Sequence, residues 1–236
     1  NKNSGQALSA LIAEKSKPVA DVAYFGGTFG DTARGAGVLA PYRPKGWERI
    51  PADLKDADGY WFTIHAGTLG LFVNTTALKG RPVPQSWADL LKPEYRGMVG
   101  YLDPVSAAVG QVGVMAVNLA LGGTYDNLEP AIKFFKELQK NQPIVPKQTS
   151  YARVISGEIP ILFTSVAGIT PLMESGKVKM LATTGKERYS QLPNVPTIAE
   201  TVLPDFDVMS WYALAAPKGV PAGIVNRLNE AVQQGL

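Results

Sequence analysis

One histidine, His65, and no cysteine bound the chemistry open to this 236-residue chain. Without cysteine there is no disulfide, no thiol nucleophile and no thiolate metal ligand. One imidazole cannot build a histidine-rich metal site, and neither HExxH nor a paired-His spacing occurs. A Ser-His-Asp arrangement around His65 is formally available, but the nucleophile-elbow pattern GxSxG is missing. His65 sits in an apolar, β-like run, where a packed and hydrogen-bonded imidazole is commoner than a general base. A hydrolase or transferase using His65 is therefore kept only as a third reading. Asp53, Asp56 and Asp58 have a calcium-loop look, but the required glycine and terminal Glu are out of position. No cofactor is expected.

Three loops offer binding rather than catalysis. Gly26-Gly27-Thr28 follows the apolar run VADVAYF and precedes a short helix. Backbone N–H groups at such a helix start suit an anion. The segment GGTFG is neither GxGxxG nor GxxxxGK[ST], so a nucleotide is not its expected ligand. The alternative is a tight turn that needs glycine. Strand C-terminal ends in open α/β sheets face the ligand crevice, which keeps both readings open. Asp103-Pro104-Val105-Ser106-Ala107 repeats the design, and Lys147-Gln148-Thr149-Ser150-Tyr151 repeats it again. Ser106, Ala107, Thr149 and Ser150 thereby become candidate ligand contacts. For any single Ser or Thr the plainer role is helix capping.

The elements that must carry these loops alternate between strand and helix. SGQALSALIAEK reads as a helix with Ser4 as N-cap and Ala7, Leu8, Leu11 and Ile12 on one face. Tyr60 to Asn74 is the most strand-like segment, aromatic and β-branched, and long enough to pass from one lobe to another. MVGYL and IPILF read as further strands, and Ser106 to Leu121 as a buried helix. Leu128 to Gln139 reads as an amphipathic helix with Ile132, Phe135 and Leu138 inward. VKMLAT and FDVMSWYALA read as strands, the second also crossing, and Pro221 to Val232 as a helix with Ile224, Val225 and Leu228 inward. Such alternation predicts an α/β architecture with mainly parallel sheets. The composition, 45% hydrophobic and 18% charged with net charge +3, is that of a globular chain, and no run of like charge points to nucleic acid.

Two families meet in these residues. SGQALSALIAEK, DVAYFGGTFGD, GYWFTIHAGTLGLFVN, SWADLLKPEYRGMVGYLDP and QTSYARVISGEIPILF resemble ABC-transporter solute-binding proteins of the iron(III)/polyamine/phosphonate-like group. GKVKMLATTGKERYSQLPNVPTIAET and FDVMSWYALAAPKGVPAGIVNRLNEAV resemble the binding proteins of tripartite tricarboxylate transporters. The change falls near residue 165. The first resemblance implies a two-lobed periplasmic-binding-protein-like fold of the type with two crossing strands. It implies ligand contacts from Gly26, Gly27 and Thr28, from His65 and Thr68, from Ser106 and Ala107, and from Thr149 and Ser150. Ferric-ion binders of that group use an adjacent tyrosine pair, and no Tyr-Tyr occurs here. The second implies small carboxylates or related organic acids, with Thr164 standing where an acidic contact is expected.

Together the resemblances imply an exported, non-enzymatic solute-binding protein. Its expected ligand is a small polar or anionic molecule of the organic acid, polyamine or phosphonate class, held in an interlobe cleft. Its expected partner is a membrane transporter permease. Lobe one would comprise 1–72 and 184–236, and lobe two 73–183. Against either family the chain reads as incomplete at both ends. The alternative is an engineered or recombined scaffold, a chimera of two homologous folds without a functional ligand.

Overall fold

In the computed structural model, residues 2–147, 151–166, 173–176, 178–201, 203–215 and 219–235 are described. The chain forms two compact units, Asn1–Ala66 with Trp211–Leu236 and Gly67–Ser210. It thus passes between units at 66/67 and again at 210/211, where sequence reading set the boundaries at 72/73 and 183/184. Residues 67–72 and 184–210 cluster with the second unit.

In the first unit, helix α1 (Ser4–Ala13) buries Leu8 and Leu11, while Ile12 stays exposed. Its cap is Asn3, not the expected Ser4. The Asn3 side chain accepts the Gln6 N–H, and Gln6 reaches back to the Asn3 N–H. That reciprocal pair satisfies two donors that a helix start leaves open. Ser4 is thereby released to bond elsewhere. Strand β1 (Ala23–Gly26) pairs antiparallel with β6 (Met209–Ala215), with Ala23 opposite Ala215 and Gly26 opposite Tyr212. A 3-10 turn over Gly27–Phe29 leads into α2 (Gly30–Gly35). A Cβ on Gly30 would stand 2.8 Å from the Trp61 ring, so only glycine lets the helix start approach that closely. The last helix of this unit, Ala222–Gly235, keeps Ile224 and Leu228 largely exposed, although both were expected to point inward.

The second unit is built on β2 (Phe62–Val73), which crosses from the first. Within 69–73 it pairs antiparallel with β4 (Ile161–Ser165) on one side and with β5 (Lys179–Thr183) on the other. Strand β3 (Val99–Tyr101) pairs parallel with β4. The expectation of mainly parallel sheets is therefore corrected. A crossing strand comes from the other unit, so its neighbours are not the next strands of a right-handed βαβ series, and most described pairings are antiparallel. Helix α3 (Ala108–Ala120) covers the sheet with eight buried residues. Helix α4 (Glu129–Gln139) packs through Ala131, Phe134 and Leu138, so its inward face is rotated from the expected Ile132–Phe135–Leu138 row. Ile132 is exposed. The indole of Trp87 claims the Phe134 side, edge-on to both Phe134 and Phe163 at 6.3 and 5.1 Å.

The connection between α3 and α4 hangs on Asn118, which is completely buried. Its amide donates to the carbonyls of Thr124 and Asn127 at 2.9 Å each, and its oxygen accepts the Ala131 N–H at 3.2 Å. One side chain thus closes the loop and the start of α4. Asn118→Ala leaves the buried Ala131 N–H without its partner and takes one donor each from the Thr124 and Asn127 carbonyls, which keep each other's N–H groups; a buried unmet group costs about 1–3 kcal/mol. The expected loss of unfolding free energy in urea is about 1–3 kcal/mol. A loss below about 0.5 kcal/mol, the range of an ordinary surface change, would contradict the closure role.

Candidate functional site

In the first unit the strand-end loop is held from behind. Gly26 donates its N–H to the Ser4 hydroxyl at 3.0 Å. Neither Gly26 nor Gly27 adopts a positive φ; Gly26 is extended at φ −62° and ψ 136°. The turn therefore does not require glycine for a left-handed backbone. Gly26 and Gly27 are buried and Thr28 is exposed. Trp61 closes the far side, its indole N–H donating to Asp31 at 3.0 Å.

Beside this loop stand Tyr24 and His65. Tyr24 is the one outward residue of β1 and is 47% exposed. Its hydroxyl lies 3.2 Å from His65 Nε2, with ring centroids 6.0 Å apart. Partial burial pushes the imidazole below its ordinary 6.5. Sequence reading missed Tyr24 because, apart from Asp21, VADVAYF is a run of apolar and aromatic residues. Only the alternation of a strand end separates Tyr24 from its buried neighbours.

In the second unit, β3 ends and the chain turns through Asp103–Ala107 into α3. Asp103 accepts the Val105 N–H at 3.0 Å and the Ser106 hydroxyl at 2.7 Å. Its carbonyl takes the N–H groups of Ser106 and Ala107. Ala107, buried at the N-cap, supplies no side-chain cap. The first-turn donors of α3 thus have no capping side chain, where Ser, Thr, Asp or Asn is the usual choice. Ser106 is half-buried and turned to Asp103, so it does not perform the capping that was its plainer role. Gly110 makes the tight approach: a Cβ there would lie 2.8 Å from the Asp103 carbonyl carbon.

Thr68 and Thr164 lie deeper. Thr164 is completely buried in β4 opposite Gly70, and Thr68 is 6% exposed. Both Thr68 acceptor positions receive main-chain N–H groups, from Thr184 at 2.9 Å and Gly185 at 2.8 Å. Thr149 and Ser150 fall outside the described residues. Tyr151, which follows them, donates its hydroxyl to the Ser165 carbonyl at 2.8 Å. The Asp56 side chain holds its own loop. It accepts the N–H groups of Asp58 and Tyr60 and an ion pair from Arg34. Among the described residues no three His, Asp or Glu side chains gather as metal ligands.

The described strand pairings and helices are those of the periplasmic binding proteins. One solved example is the AfuA protein of Actinobacillus pleuropneumoniae with fructose-6-phosphate bound. It aligns with TM-score 0.71 at 23% identity, over 97% of this chain and 67% of that one. Residues 17–181 match the bacterial extracellular solute-binding protein family, and the chain belongs to it. Residues 143–236 match the tripartite tricarboxylate transporter family receptor. The two matches overlap over 143–181, and the change of resemblance expected near 165 falls inside that overlap. An uncharacterized protein of Haemophilus influenzae is 36% identical over 147 residues, which is 58% of this chain and 41% of that protein. A UPF0065 protein of Pseudomonas sp. strain P51 is 36% identical over 84 residues, 35% of this chain and 25% of that protein. The chain thus spans under half the length of these curated relatives.

The lowered affinity of His65 for protons has a definite sign. Folding favours the neutral ring, so its contribution to stability is present above 6.5 and fades as pH falls below that value. Ring-proton NMR should give a titration midpoint below 6.5. A midpoint above it would mean that the charged form is the one the fold favours.

Proposed function

We propose that the chain captures a small solute bearing an oxyanion, such as an organic acid or a phosphonate, outside the cytoplasm and delivers it to a membrane transporter permease. Family membership supports solute capture. The observation that carries the ligand class is the start of α3, where first-turn N–H donors stand at a strand end with no capping side chain. The partial positive charge of a 13-residue helix start favours an anion. On the first unit, Gly27, Thr28 and His65 supply a second group of donors, with Tyr24 added to those read from the sequence. On the second unit, Ser106 and Ala107 make contact, Thr149 and Ser150 follow by sequence, and Thr68 and Thr164 support from the interior.

A polyamine fits less well. A polycation needs gathered carboxylates, and Asp103, the acidic group at the α3 start, already accepts two hydrogen bonds with its side chain. The proposal requires no catalytic step, and His65 serves as a donor or acceptor to the solute.

Calorimetry of the full chain against di- and tricarboxylates, alkylphosphonates and spermidine tests this reading. A carboxylate or phosphonate should bind, and Ser106→Trp should weaken it by more than about tenfold, or about 1.4 kcal/mol. Binding of spermidine alone, or an oxyanion hit indifferent to Ser106→Trp, would overturn the ligand class or the place of the site.

A further inference from the structure

Thr68 and Thr184 form a hydroxyl pair at the point where both passages leave the second unit. Their Oγ1 atoms are 3.0 Å apart, and the two residues are 6% and 0% exposed. Thr68 Oγ1 accepts the N–H groups of Thr184 and Gly185. Thr184 Oγ1 accepts the Leu69 N–H at 2.9 Å. The main chains of the pair add three bonds: Thr184 N–H to the Leu69 carbonyl, Val166 N–H to the Thr68 carbonyl, and Val208 N–H to the Thr184 carbonyl. Four stretches therefore converge on these two residues, through hydroxyls and main chain together: β2 near its crossing point, the residue after β4, the segment after β5, and the approach to β6.

The location gives this network its meaning. Thr68 is the next residue after Gly67, where the second unit begins, and Val208 lies two residues before Ser210, where it ends. Strand β2 and strand β6 are the only elements among the described residues that contain the unit boundaries. Both are tied to the same buried pair within two residues of leaving. Buried N–H groups demand acceptors, so the hydroxyls cannot leave without cost to Gly185 and Leu69, while the Thr184 N–H keeps the Leu69 carbonyl.

We propose that Thr68 is a positioning residue and not a ligand contact: with Thr184 it anchors both inter-unit passages in the second unit, and solute affinity depends on that anchor. This rests on the solute-capture reading for its effect on affinity, but the anchor itself can be read without any solute. Valine is close in shape to threonine and lacks the hydroxyl, and serine keeps the hydroxyl.

The test combines amide hydrogen exchange of the full chain without solute and affinity for the carboxylate or phosphonate found by calorimetry. In Thr68→Val, exchange at Gly185 should speed by more than about tenfold, with smaller increases at Thr184, Leu69 and Val208. Affinity should fall by about tenfold or more. Thr68→Ser should restore both to within about threefold of the parent. If Thr68→Val unfolds, Thr68→Ser and Thr184→Ser still decide, because each keeps an acceptor and should keep parental exchange at Thr184, Gly185 and Leu69. Parental exchange in Thr68→Val would overturn the anchor. Thr68→Ser with parental exchange but the full affinity loss would make Thr68 a direct contact and overturn the positioning role. Absence of any bound solute, with the exchange pattern as expected, would count against solute capture alone.

Discussion

Strand β2 is the constraint on which the second unit depends. From Leu69 to Val73 it is hydrogen-bonded on both sides, to β4 and to β5, and its Leu69, Phe72 and Val73 are completely buried. A backbone buried on both edges must find all its partners within the protein. The register of β4 and β5 is therefore set against one template. Gly70 shows how tight the fit is: a Cβ there would stand 3.1 Å from Met180 Sδ and 3.3 Å from the Phe72 ring. One core joins Phe72 and Leu162 to Val178, Met180, Leu192 and Val195. The stretch that resembles one transporter family and the stretch that resembles another thus share a single template and a single core. The overlap of the two family matches over 143–181 is the sequence counterpart of that continuity.

From that template the candidate contacts follow in order. Strand β4 pairs with β3, β3 ends at Tyr101, and the turn through Asp103 launches α3. Asp103 and Gly110 fix where the helix begins, one by hydrogen bonds and the other by having no side chain. In the first unit the same logic recurs with different parts: Ser4 holds the Gly26 N–H, and Gly30 lets α2 start against Trp61. Each unit thus presents a short strand end and a helix start, held in place by residues other than the proposed contacts.

Much of the fold was legible along the chain because its signals are local. The long aromatic run of β2, the small-residue helix α3 and the three loops at strand ends follow from periodicity and from turn residues. Strand direction was not legible, since it depends on which unit a strand comes from. The inward face of α4 was not legible either, because Ala131 and Phe134 were selected by the position of Trp87, far back in sequence. The supporting contacts of the site were the hardest to read. Ser4 meets Gly26 across 22 residues and Thr68 meets Thr184 across 116, and no spacing rule connects such pairs. Thr68 was read as a ligand contact on the resemblance alone; its hydroxyl is spent on the backbone.

The central claim is that the proposed solute is held by strand-end loops, with the start of α3 foremost among them. Amide exchange of the full chain, compared with and without saturating carboxylate or phosphonate, measures this most directly. The account predicts added protection in two places at once, at Gly27–Gly30 and at Ser106–Gly110. Protection confined to one of these loops, or found only elsewhere in the chain, would contradict it.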